Sequence, residues 1–109
     1  KGRNTLVTAP GQPIYAFNAG HSYSATPGSG DVLAGILGAV LAQIHLEDRA
    51  QVGRTTLTEI ITEVLHAGAI QAHAAAIAAK TPEGYAICSA SQIAAAIPRA
   101  VAKLLRAAR

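Results

Sequence analysis

Methionine is missing from all 109 residues, and cysteine occurs once, as Cys88. A single cysteine excludes an internal disulfide and a cysteine zinc cluster. It fits a reducing, cytoplasmic setting. Aromatic residues make up only 4% of the chain, too few to suggest a stacking platform for single-stranded nucleic acid. Charged residues are 14% against 50% hydrophobic, which excludes a disordered tail. Part of the +3 net charge gathers at the end, in Arg99, Lys103, Arg106 and Arg109. There it reads as the solvated end of a helix, complementing the dipole, rather than as a nucleic-acid patch. The opening Lys1-Gly2-Arg3-Asn4 has no apolar stretch behind a basic one. The apolar run from Val32 to Ile44 is broken by glycine and too short to span a membrane. The length suits one domain or part of one and is short for an enzyme holding both a nucleotide and a second substrate. With no methionine, the expectation is a piece of something longer.

Two short strands are expected first. Thr5-Leu6-Val7-Thr8 ends at Pro10-Gly11, and Ile14-Tyr15-Ala16-Phe17 follows. The turn signal between them predicts a hairpin. Asn18 to Ser22 reads as a loop. From Asp31 the period changes. Val32, Leu33, Ile36, Leu37, Val40, Leu41 and Ile44 recur at helical spacing, predicting a helix from about Asp31 to Ile44. Gly35 and Gly38 inside it imply close approach of another element or a ligand, because each costs about 1 kcal/mol relative to alanine. His45 to Thr55 reads as a loop. Thr56-Leu57-Thr58-Glu59 has capping-box spacing and opens a largely buried helix over Leu57 to Ala79, ended by Thr81-Pro82-Glu83-Gly84. Ser89-Ala90-Ser91-Gln92 opens a short helix, and Pro98 precedes a last one over Ala100 to Ala107. Two short strands make no satisfactory sheet alone, so partner strands are expected elsewhere.

The chemistry concentrates in Thr26-Pro27-Gly28-Ser29-Gly30-Asp31. Glycines allow positive φ and let a ligand approach the backbone. The first amides of the following helix have no intrahelical acceptor, and with the positive end of the dipole they make an anion site suited to phosphate. Asp31 is the anomaly. A carboxylate at a helix start is ordinarily just a favourable first-turn residue, yet beside a phosphate it repels. It makes sense if it accepts a proton from a hydroxyl that attacks the phosphoryl group. No Gly-x4-Gly-Lys-Ser/Thr loop and no Gly-x-Gly-x-x-Gly occurs. Gly20-His21-Ser22-Tyr23-Ser24 lacks the closing glycine of a nucleophile elbow. His21, His45, His66 and His73 have no metal spacing, although His66 and His73 stand on one helix face. His21 alone is placed for ligand contact.

The stretch from Ala25 to Ile36 resembles the signature of the ribokinase-like superfamily, and most closely its NAD(P)H-hydrate dehydratase branch. Lys1-Gly2-Arg3-Asn4-Thr5 resembles that branch's Lys-Gly-x-x-Thr strand start. Asn18-Ala19-Gly20-His21 resembles its Asn-x-Gly-Asn loop, with His21 for asparagine. His73 falls at a helix His-Gly pair, with Ala74 for the glycine. Ser89 to Ile93 and Ile97-Pro98 resemble its closing Thr-Ala-Ser-Asp-Leu/Ile and Ile/Leu-Pro segments, with Gln92 for aspartate. The resemblance implies an α/β fold, with residues 1–109 as the C-terminal part of one three-layer α/β/α sandwich. It implies ADP- or ATP-dependent dehydration of hydrated NADH or NADPH, in which the hydrate hydroxyl is phosphorylated and phosphate then leaves. Asp31 would be the catalytic base. Lys1, Gly2, Arg3, Asn4 and Thr5 would bind the AMP part of the nucleotide. His21, Thr26, Gly28, Ser29 and Gly30 would border nucleotide and phosphate, the glycine-turn amides forming the anion hole. Mg2+ is expected on the phosphates, with no protein ligand for it in this sequence. The expected partners are the small-molecule hydrate, the rest of the same domain and further copies in a homo-oligomer, with neither nucleic acid nor membrane. The fragment alone is expected to be inactive.

Two other readings stand beside this one. A small-molecule kinase of the same superfamily, acting on a sugar or hydroxymethylpyrimidine, would use Asp31 and the turn identically. A helical interaction module without catalysis would make Gly28 to Asp31 only a capped helix start.

Overall fold

A period of two decides the first elements. In β1 (Thr5–Val7) and β2 (Tyr15–Phe17) the outer residues are half-buried and the central Leu6 and Ala16 exposed, as a strand covered on one face requires. They pair antiparallel with Thr5 opposite Phe17 and Val7 opposite Tyr15. The expected hairpin is there, each strand one residue shorter than the sequence suggested. Gly11 takes φ 70° in its loop, where the Gln12 N–H donates to the Ala9 carbonyl at 3.1 Å. The structure, a computed structural model, describes residues 2–18, 21–51 and 56–109.

Helix α1 spans Ser29–Gln51. It begins two residues before the expected Asp31 and continues through His45 to Gln51, where a loop was expected. Leu46, Glu47, Arg49, Ala50 and Gln51 are strong helix formers, so a polar composition there did not mean a break. Residues 52–55 of the expected loop lie outside the described residues. Helix α2 spans Leu57–Ala79 as expected. The Glu59 N–H donates to the Thr56 hydroxyl at 3.2 Å, and the Thr56 N–H donates to the Glu59 carboxylate at 2.6 Å. This reciprocal cap stabilises the helix by about 1 kcal/mol. By length and apolar composition alone α2 could cross a membrane. Its place is instead the centre of the fold, packed by α1, α3 and β1, with Gln71 buried among its alanines.

After α2 the chain makes a tight hairpin the sequence did not announce. β3 (Lys80–Thr81) pairs with β4 (Gly84–Tyr85), Thr81 opposite Gly84. Pro82-Glu83, expected to stop the helix, also makes the turn between these strands. Gly84 at φ 140° closes the turn. Helix α3 then runs unbroken over Ala90–Ala107, correcting the expectation of two helices divided at Pro98. Pro98 removes one donor from the ladder. Both it and Ala94, whose carbonyl loses that donor, are exposed, where water can take the donor's place. Ile93, Ala96 and Ala100 pack the opposite face into the core, and that packing carries the helix through the proline. The Ser89 cap holds as expected, the Gln92 N–H donating to the Ser89 hydroxyl at 3.2 Å. The basic residues Arg99, Lys103, Arg106 and Arg109 are exposed.

The core is small-sided. Ala74, Ala75, Ala79, Cys88, Ile93, Ala96 and Ala100 form one buried cluster, with Tyr23, Val32 and Ile97 against it. Alanine on both α2 and α3 lets the two helices approach closely. Ile93, wholly buried, supplies about 2 kcal/mol of the apolar burial. Gly35 and Gly38 are approached by no other element among the described residues. Both are exposed, and a Cβ added at either would meet nothing within 4 Å. Among the described residues no element packs on that face of α1. The closely approached helical glycine is Gly68 on α2, against which the Phe17 ring lies.

Candidate functional site: the glycine turn and the cleft beside it

The chain enters the site through a single 3₁₀ turn over Ser22–Ser24. The Ser24 hydroxyl and N–H both donate to the His21 carbonyl, at 2.7 and 3.1 Å. Two residues on, the Ser29 N–H donates to the Thr26 carbonyl at 3.2 Å, and the Gly28 carbonyl accepts the Val32 N–H at 3.1 Å as the first bond of α1. Gly28 is therefore where loop becomes helix. Its φ is 85°, a conformation costing other residues about 1–2 kcal/mol. Space is tight as well, since a Cβ there would sit 3.0 Å from that of Ala90.

Ser29 is buried, and the Gln71 side-chain amide donates to its carbonyl. α2 thus holds the turn from below. Gly30 and Asp31 are exposed. Their N–H groups fall in the first turn of α1, where no intrahelical acceptor exists. They stand at the positive end of a 23-residue helix, with nothing within 4 Å over the Gly30 Cα. Of the amides expected to form the anion hole, that of Ser29 is engaged with the Thr26 carbonyl. Among the described residues no ion pair engages the Asp31 carboxylate. The turn thus presents two amide donors and a free carboxylate on one exposed edge, which can bind an anion and accept a proton beside it.

The loop that leads into this turn borders a cleft of about 580 Å3. Gly2, Arg3 and Asn18 line it from the β1–β2 hairpin, and His21, Ser24 and Ala25 from the 3₁₀ turn. Of the residues expected to bind nucleotide, the structure thus gathers Gly2, Arg3 and His21. Thr5 lies beneath, lining a narrow 20 Å3 space with Phe17, Gly68 and Gln71. Asn4 is exposed and Thr26 half-buried. Lys1 lies outside the described residues, as do Ala19 and Gly20 of the loop before His21. Gly28 to Asp31 do not line the cleft. They follow Ala25, which does, within a few residues of chain.

Three features escaped the sequence reading. Gln71 could have been suspected as the lone amide among the alanines of α2. Tyr23 and Tyr85 gave no signal, being far apart in the chain. The Tyr23 ring lies against His21 at 4.9 Å between centroids and 13° between planes, and against Tyr85 at 5.3 Å and 10°. Cys88 is buried, and its single weak S–H donor has two carbonyls in reach, that of Tyr23 at 3.6 Å and that of Ala75 at 3.9 Å from the sulfur. Burial raises the Tyr23 phenol, helped by Tyr85 and then Cys88. Burial also raises the Cys88 thiol, opposed by a backbone hydrogen bond. Of the other histidines, His66 pairs with Glu63 at 3.4 Å on the surface of α2. Among the described residues no three His, Cys, Asp or Glu side chains gather to hold a metal. These residues provide no cage for Mg2+.

A glycine turn opens a helix on this α/β chain, with an acid in the helix's first turn and a cleft along the preceding loop. The protein-family model described as NAD(P)H-hydrate dehydratase, of the carbohydrate-kinase type, matches residues 1–99, and the chain belongs to that family. It is 46% identical over 95% of its length to the bifunctional NAD(P)H-hydrate repair enzyme Nnr of Corynebacterium glutamicum, covering 19% of that protein. It is 55% identical over 38% of its length to the enzyme of the same name from Mycobacterium leprae, covering 9% of it. It is 54% identical over 39% of its length to the ADP-dependent (S)-NAD(P)H-hydrate dehydratase of Neisseria meningitidis, covering 14% of it. The chain therefore spans a fifth or less of these relatives. No solved structure matches it.

Proposed function

We propose that the chain carries the catalytic turn of an ADP-dependent (S)-NAD(P)H-hydrate dehydratase, acting in the cytoplasm. The observation that supports this most is Asp31, exposed in the first turn of α1 beside the outward Gly30 amide, in a member of the hydrate dehydratase family. The name of the Neisseria relative supports ADP. Gly2, Arg3 and His21 around the cleft would hold the nucleotide, and the donors of Gly30 and Asp31 its terminal phosphate. The nucleotide supplies a phosphoryl group. Asp31 accepts the proton of the hydrate hydroxyl as that oxygen bonds to phosphorus, and the bond to the nucleotide breaks. The amides hold the negative charge that shifts onto the transferred group. The bond from the ring carbon to the phosphate oxygen then breaks with its electron pair leaving on phosphate, the adjacent ring carbon gives up a proton to water, and the C=C bond so formed restores the dihydropyridine.

The fold we propose around this is the three-layer ribokinase-like sandwich, with residues 1–109 in its C-terminal part. Support comes from the apolar surface the chain leaves open. Leu6 is 63% exposed and Ile14 70%, and no element among the described residues covers the small-residue face of α1. The test uses the full-length protein that carries this chain, given hydrated NADH and ADP while the NADH absorbance is followed. Recovery that depends on ADP supports the proposal. If hydrated NADH is left untouched while a sugar or pyrimidine alcohol is phosphorylated, the site serves a kinase instead.

A further inference from the structure

His21, Tyr23 and Tyr85 form a ladder of three nearly parallel rings. The chain has three tyrosines and one phenylalanine in all, so two of its four aromatic residues are spent here. The ladder is anchored from within. Tyr23 packs against the buried cluster of α2 and α3, and its carbonyl accepts the Cys88 thiol. Tyr85 comes from the β3–β4 hairpin and is 64% exposed. His21 is the outermost rung on the cleft side: Tyr23 covers one face of its imidazole, and the residue also lines the 580 Å3 cleft with Arg3. A ring held parallel by a backing stack is a preformed platform for another flat ring. Alone, an exposed histidine would lose side-chain freedom to serve as one.

The geometry points to His21 as the stacking platform for the heteroaromatic base of the nucleotide, held in place by Tyr23 and Tyr85. This rests on the proposed nucleotide-dependent function and adds the residue that recognises the base. A base stacked on His21 leaves its phosphates to follow the chain through Ala25 to the amides at Gly30, past the Arg3 guanidinium. Tyr23 and Tyr85 do not touch the ligand. They are positioning residues that keep the imidazole plane aligned.

The test compares ligands with and without a base in the full-length protein. Affinity for ADP and for pyrophosphate is measured by calorimetry in wild type, His21→Ala, His21→Phe and Tyr85→Ala. Base stacking on an aromatic side chain predicts a loss of ADP affinity of about five- to one-hundred-fold in His21→Ala. Pyrophosphate should bind unchanged, and His21→Phe should restore ADP. Tyr85→Ala should weaken ADP less than His21→Ala does, again sparing pyrophosphate. The diphosphate of 2-aminopurine riboside, whose fluorescence falls on stacking, should be quenched by wild type and His21→Phe but not by His21→Ala. Equal ADP affinity in wild type and His21→Ala, or equal losses for ADP and pyrophosphate, would overturn the ladder and leave the proposed function standing. Wild type that binds no ADP would overturn both.

Discussion

Replacing Gly68 with alanine sets two effects of opposite sign against each other. Gly68 is buried in the middle of α2, where alanine would stabilise the helix by about 1 kcal/mol. A Cβ at that position would overlap the end of the Phe17 ring, and overfilling a packed contact costs about 1–3 kcal/mol. The ring cannot withdraw freely, because Phe17 is paired with Thr5 in the hairpin. Gly68→Ala should therefore be destabilising in the native background. In a Phe17→Ala background the obstruction is gone, and the same substitution should stabilise by about 1 kcal/mol. The two backgrounds should differ by roughly 1–3 kcal/mol, within the usual range for residues in contact. Urea denaturation of the full-length protein, followed by helical circular dichroism, measures all four variants. Equal stabilisation by Gly68→Ala in both backgrounds would mean that the hairpin does not dock on α2 through Phe17. The point bears on the site, because the same hairpin brings Gly2 and Arg3 to the cleft.

Gly28→Ala should cost about 1–2 kcal/mol for its positive φ alone, more with the Ala90 contact, and should weaken pyrophosphate binding by displacing the turn. Gln71→Leu removes the bond from α2 to the buried Ser29 carbonyl and should cost about 1 kcal/mol in unfolding free energy, with a loss of phosphate affinity as the turn loosens. Stability should also fall at alkaline pH. Tyr23 and Cys88 both titrate higher folded than unfolded, so the unfolded chain gives up these protons first. Their contribution is fully present below the unfolded thiol value near 9.0 and is lost as pH climbs past it and then past the ordinary phenol value of 10.0. Cys88→Ala should blunt the first part of that fall in a pH series of urea midpoints.

Local signals carried the sequence reading a long way. Thr56 and Ser89 announced their helices because a capping box is written in four consecutive residues, and the β1–β2 hairpin followed from Pro10-Gly11. What failed depended on partners distant in sequence or on competition between effects. Pro98 looked like a boundary because the packing of Ile93, Ala96 and Ala100 that overrides it comes from α2. Gly68, pressed by the Phe17 ring, gave no sign of it in the sequence because its partner lies in β2. In the site, the turn and its acid were legible because glycines and aspartate stand adjacent. The side chain holding the turn from beneath, Gln71, and the outer ring of the stack behind His21, Tyr85, were not, since folding alone brings residues 71 and 85 near it.

The most direct test concerns Asp31. Asp31→Asn keeps the size of the side chain and the start of α1 but removes the base. In the full-length protein, with hydrated NADH and saturating ADP, the account predicts that ADP binding survives while recovery of NADH falls by about a hundred-fold or more, the usual contribution of a general base. Turnover by Asp31→Asn at the rate of the native protein, with ADP equally bound, would contradict it.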